Sequence, residues 1–202
     1  LDEAQFIKDY FAELRRCLDA VSVEAVQQVV EVLRRAMERD QTVFVIGNGG
    51  SAATATHMAS DLCRTRAGSG LPGLRAVSLT DNIAAFTATA NDTSYEGAFA
   101  ELLALQVRHG DVVLALSGSG NSPNIVQAVR VARQRGATAV GLVGFGGGEL
   151  RTEVDLQVTV DSRHYGAVED LHLALGHLLA MILAGPTRMQ DPGARPPSSL
   201  DQ

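Results

Sequence analysis

Apolar residues recur at intervals of three and four from the start of the chain. Ile7, Phe11, Leu14, Leu18 and Val21 predict an amphipathic helix over residues 3–21. A second helix follows, with Val26, Val30, Leu33 and Met37 on one face and Arg34, Arg35 and Glu38 on the other. Ser22 suits its N-cap. At residue 42 the period changes. Residues 42–46 (Thr-Val-Phe-Val-Ile) are apolar without interruption and too few for a helix, so they predict a buried parallel strand. A glycine-rich loop and a helix over 52–64 come next. The same strand, loop and helix order recurs. Strands are expected at 74–79, 111–116, 137–143 and 156–160, and helices at 83–90, 123–135 and 167–184. Strands alternating with helices predict an α/β doubly wound parallel sheet, flanked by helices and preceded by an N-terminal helical arm.

This pattern divides the chain into an arm over 1–40 that packs on an oligomer, a ligand-binding domain over 41–184 and a tail over 185–202. Pro186, Pro192, Pro196 and Pro197 lie in the tail among Ser, Gly and Gln, so it is expected to be disordered.

Composition narrows the function. Of 202 residues, 46% are hydrophobic and 20% charged, which is enough for one globular domain. The net charge of -6, the 4% aromatic content and the absence of Trp argue against a nucleic-acid partner. Cys17 and Cys63 are too few for a disulfide framework and fit a reducing, cytoplasmic location. No apolar run is read as approaching the roughly 18 residues of a membrane span, and no secretory signal opens the chain.

In an open parallel sheet, ligands bind beyond the carboxyl ends of the strands. Two rich loops are predicted there. Residues 117–122 (Ser-Gly-Ser-Gly-Asn-Ser) place three hydroxyls just before a helix. A helix N-terminus offers unpaired N–H donors and partial positive charge, so Ser117, Gly118, Ser119 and Ser122 suit a phosphate monoester. Asn48, Gly49, Gly50 and Ser51 hold the matching position after the first strand. That loop lacks the Lys-Ser/Thr of a P-loop and the spacing of a dinucleotide fingerprint, leaving a small phosphorylated metabolite as the ligand.

The helix after the first loop carries His57 and Asp61, four residues apart on one face. The last helix carries Glu169, Asp170, His172 and His177. Glu169 and His177 stand eight apart, about 80° around the helix, so both can reach one cavity. Two histidines and two carboxylates suit a tetrahedral metal site or acid–base work equally. A surface ion pair, or an ordinary core histidine at His177 among Leu175, Leu178 and Leu179, accounts for the same spacing. Asn91 and Asp92 read as a turn after a helix.

Taken together, these pieces resemble the SIS (sugar isomerase) domain family, and within it the phosphoheptose isomerases, over residues 5–184. The resemblance implies the flavodoxin-like SIS fold and a homotetramer with sites at subunit interfaces. It implies isomerisation of sedoheptulose 7-phosphate to an aldoheptose 7-phosphate through an enediol. By residue matching, Ser51, Ser117, Ser119 and Ser122 would hold the phosphate, and Asn48 and Asp92 the sugar hydroxyls. Asp61 would move the proton between carbons, with His177 as second acid–base group. His57, Asp61, Glu169 and His177 match the ligands of a zinc ion found in some relatives.

The chain departs from the family pattern at four places. Asp61 stands where Glu is usual, Glu169 where Gln is usual, Thr65 where Arg is usual (with Arg64 and Arg66 beside it), and Gly118 where Ser or Thr is common. The extra carboxylate at Glu169 would favour a metal cation or raise a neighbour's pKa. A non-catalytic relative that associates with a replication initiator shares features near Thr80-Asp81-Asn82 and residues 146–150. That relative lacks the groups matching Asp61 and His177, which favours the enzyme, acting on sedoheptulose 7-phosphate or, given the changes at Asp61 and Glu169, on another ketose phosphate.

Overall fold

The computed structural model describes residues 2–65 and 73–185. Most of the tail expected to be disordered therefore lies outside the described residues. Among these, five strands form one all-parallel sheet in the order β2-β1-β3-β4-β5. They are β1 (Thr42–Gly47), β2 (Arg75–Ser78), β3 (Val112–Ser117), β4 (Thr138–Val143) and β5 (Leu156–Thr159). The helices are α1 (Glu3–Ala20), α2 (Val23–Glu38), α3 (Gly50–Cys63), α4 (Ile83–Asp92), α5 (Ala98–Gln106), α6 (Pro123–Gln134), α7 (Leu150–Glu153) and α8 (Tyr165–Leu183). The expected doubly wound sheet is present.

The side-chain period of two sorts the strand residues between two cores. Val43 and Val45 of β1, with Leu114 and Leu116 of β3, pack against α2, α3 and α8. Phe44, Ile46, Val113 and Ala115 point the other way, toward α4, α5 and α6. A sheet covered on both faces needs apolar residues at consecutive positions, which is why these strands read as continuous runs.

The two N-terminal helices differ in role. α2 buries Val26, Val29, Val30, Leu33, Ala36 and Met37 in the first core. α1 buries only Cys17 and leaves Phe6, Ile7, Phe11 and Leu18 exposed. Polar contacts fasten it: Tyr10 donates to Asp170 of α8, and Arg16 pairs with Glu13 and Asp161. Arg16 and the Ser162 hydroxyl together hold the Glu13 carboxyl down at about 2.

Three sequence expectations change. α4 runs through Asn91 and Asp92, so these residues close a helix and do not form a turn after it. α5 and α7 had no counterpart in the pattern. α8 is long and apolar enough to cross a membrane by length and composition, contrary to the expectation that no segment approaches this. Its nine buried residues pack inside the fold, as in the core helix of a layered domain.

Candidate functional site

The strand order reverses between β1 and β3, and the loops leaving these two strands face each other across that switch point. After β3, the chain curls around its own hydroxyls. Ser117 Oγ accepts the Gly120 N–H at 3.1 Å, and Ser119 Oγ accepts the Asn121 N–H at 3.2 Å. Ser122 is the N-cap of α6 by backbone shape, with Pro123 next, yet its hydroxyl makes no cap bond. It lies 3.5 Å from Ser117 Oγ. The β4–α7 loop braces this turn from outside. The N–H groups of Gly144, Leu150 and Glu149 donate to Gly118 O, Gly120 O and Asn121 Oδ1 at 2.9, 3.0 and 2.8 Å. Gly120 has φ 68°, and a Cβ there would sit 1.9 Å from the Gly147 carbonyl, so only glycine fits.

The β1 loop is tied to this turn by two amides. Asn48 and Asn124 exchange Nδ2–H···Oδ1 bonds in both directions, each 2.8 Å. The Tyr95 hydroxyl donates to Asn48 Oδ1 at 2.9 Å. Asn124 is buried, and neither Asn124 nor Tyr95 stood out in the sequence. Gly49 caps α3 without a side chain, at φ 54° and ψ -121°. Ser51 is buried in the first turn of that helix.

α3 and α8 lie side by side and run in the same direction: Glu169 is beside Gly50, Met58 beside Gly176, and His57 beside His177. Toward the far end of this pair, three of the expected side chains meet. His57 Nε2 is 3.2 Å and His177 Nε2 3.7 Å from Asp61 Oδ2, and the two ring nitrogens are 2.9 Å apart. Their side chains are 32–51% exposed, so a ligand can reach them. His177 is therefore not a core histidine.

All three donor atoms lie within 4.8 Å of one another. Two imidazole nitrogens and a carboxylate oxygen are a donor set that zinc accepts, with a position left open. Glu169 is not part of this group. Its carboxylate lies where a Gly50 side chain would be, 2.7 Å from the position of a Cβ. The eight-residue interval from Glu169 to His177 amounts to about 12 Å along the axis, which keeps them apart within one chain.

Other polar residues lie outside this group. Asp170 binds Tyr10 of α1. Thr65 is buried and donates to Leu62 O at 2.6 Å, while Arg66 lies outside the described residues. Asp81 accepts from Thr56, and Asn82 caps α4. Asp92 is exposed and bonded to neighbouring Asn91. The buried histidine of α8 is His172, whose two ring nitrogens lack hydrogen-bond partners. Burial pushes its pKa down to about 4, opposed by a smaller raising effect of the Val143 backbone.

The SIS domain family profile matches residues 9–144. A phosphoheptose isomerase from Rhodospirillum rubrum is 38% identical over 179 residues, covering 87% of this chain and 90% of that protein. One from Chlorobaculum parvum is 34% identical over 178 residues, covering 86% and 84%. Among solved structures, phosphoheptose isomerase GmhA from Neisseria gonorrhoeae matches with a TM-score of 0.81 at 29% identity, covering 89% of this chain and 97% of that one. A phosphoheptose isomerase from Francisella tularensis matches with a TM-score of 0.83 at 27% identity, covering 91% and 99%. The chain belongs to the SIS domain family, in its phosphoheptose isomerase group.

Proposed function

We propose that this protein is an aldose–ketose isomerase that converts sedoheptulose 7-phosphate to an aldoheptose 7-phosphate. The names of its relatives support the substrate class. The observation that carries the reading is the distance between two chemically different ends of one site. Hydroxyls and a helix N-terminus suited to a phosphate lie at the switch point. The cluster that holds the acid–base groups begins at His57, seven residues along α3 from Gly50, about 10 Å by helical rise. With C–C bonds of about 1.5 Å, a seven-carbon chain ending in phosphate extends on the order of 10 Å.

Ser51, Ser117, Ser119 and Ser122 hold the phosphate, aided by Gly118 backbone. Asn48, Gly49, Gly50, Asp92 and Glu169 meet the sugar. Asp61 removes a proton from C1 of the ketose, giving an enediol, and returns it at C2. His177 moves the accompanying proton from O1 to O2. His57, Asp61 and His177 can hold a zinc ion, with Glu169 completing the set only if a neighbouring subunit or a shift of α8 brings it there. Such an ion would supply Lewis acidity toward the sugar carbonyl. The exposed stripe of α1, together with an apolar groove of about 850 Å³ between α2 and α8 that shares Leu18, supports assembly into a homotetramer.

The test is turnover of sedoheptulose 7-phosphate by the purified protein, with and without added zinc. Aldose product is expected. Asp61→Asn and His177→Ala should each lose about 10²–10⁴ in kcat, the usual worth of a positioned acid or base. No conversion by the wild-type protein in either condition defeats the proposal.

A further inference from the structure

We infer that Tyr165 is a ligand-binding residue of the phosphate loop, its phenol hydroxyl taking the place of a side chain at position 118. The inference rests on the proposed sugar-phosphate substrate and adds a specificity residue to it. Gly118 stands between Ser117 and Ser119 and has no side chain to offer. The Tyr165 ring occupies the space instead, with Cδ1 and Cε1 at 3.0 and 3.1 Å from where a Gly118 Cβ would lie. Gly118 is buried, yet Tyr165 remains 57% exposed. The ring thus covers the loop backbone on one side and faces solvent on the other.

The ring is held in place. Phe145 backs it, with ring centroids 4.6 Å apart and planes at 41°. Phe145 is itself fixed in an unusual backbone conformation, φ 51°, with its N–H bonded to Ser162 O at 2.9 Å. Tyr165 opens α8, where His164 Nδ1 caps the helix by accepting the Ala167 N–H. The chain has three tyrosines. Tyr10 and Tyr95 spend their hydroxyls on Asp170 and Asn48. Among the described residues the Tyr165 hydroxyl has no partner, and it is carried by the carbon next to Cε1, beside the loop. A phenol O–H donating to a phosphate oxygen makes a charge-assisted bond, stronger than one between neutral groups. Serine at 118 and tyrosine at 165 compete for one space, so the two positions act as alternatives.

The experiment measures calorimetric binding of sedoheptulose 7-phosphate, alongside kcat and KM, for wild type, Tyr165→Phe, Tyr165→Ala, Gly118→Ser and the double variant Gly118→Ser/Tyr165→Ala. Losing one bond to a charged group should weaken binding by about tenfold in Tyr165→Phe, which keeps the ring and the fold. KM should rise equally, with kcat within about twofold. Gly118→Ser alone should bind worse than wild type, and the double variant should bind better than Tyr165→Ala, as coupled positions do. Unchanged binding by Tyr165→Phe, or a double variant no better than Tyr165→Ala, overturns the assignment. A wild-type protein that binds the sugar phosphate without converting it defeats the proposed reaction and leaves the binding comparison to decide Tyr165. A wild type that binds none defeats both.

Discussion

The Nε2 atoms of His57 and His177 meet at 2.9 Å across two parallel helices, though 120 residues separate them in the chain. At that distance one ring must donate its proton and the other accept it. The same two ring nitrogens and Asp61 Oδ2 form a triangle around one small volume.

Metal content follows from this convergence. Zinc should bind at one ion per chain, measured by elemental analysis after dialysis. Mutating an outer-shell partner costs 10–100-fold in affinity, so removing a direct ligand in His57→Ala should cost more than about a hundredfold. Equal zinc in wild type and His57→Ala would show that the ion, if present, is held elsewhere.

The paired amides at the switch point make a stability prediction. In Asn124→Ala, the half-buried amide of Asn48 loses both its bonds to Asn124, leaving Nδ2 without a partner while Tyr95 still donates to Oδ1. Leaving such groups unsatisfied costs about 1–3 kcal/mol, readable as a lower urea midpoint. Asn124→Asp should do no better, because it sets a carboxylate oxygen against Asn48 Oδ1. Unfolding curves that coincide with wild type would rule out a structural role for the pair.

Buried His172 predicts acid sensitivity. Its folded pKa of about 4 lies below the ordinary histidine value of 6.5. Between those values the unfolded chain takes up a proton that the folded protein does not. Stability is therefore complete above pH 6.5 and falls as pH drops toward 4, by about 3 kcal/mol in all. His172→Leu removes the titrating group while keeping an apolar side chain in the buried site. Urea unfolding of the variant should lose less stability between pH 6.5 and 4.5 than wild type, by about 2–3 kcal/mol. Parallel pH profiles would contradict this account.

Sequence pattern carried the sheet and most helices because burial on both faces leaves a period that can be read directly. It failed at α5, whose residues are apolar on nearly every side with only Glu101 and Gln106 to mark a polar face. It failed at α7, which is a single turn. His57, Asp61 and His177 were legible as chemistry, and the family resemblance grouped them, but spacing alone did not show that they gather while Glu169 stays apart. Helix arithmetic gives angles around one axis, whereas the meeting of His57 and His177 depends on how two helices lie together. The same limit hid Asn124, an ordinary-looking Asn in the first turn of a helix, and Tyr165, which matters only because Gly118 lies beneath it.

α8 joins parts of the molecule that would otherwise move separately. It holds Glu169 beside Gly50 and His177 beside His57, and through Asp170 it grips Tyr10. A rigid-body tilt of this helix would drag the N-terminal helix and its uncovered apolar flank along with it. Any such tilt would therefore be felt both at the candidate site and at whatever surface that flank rests upon.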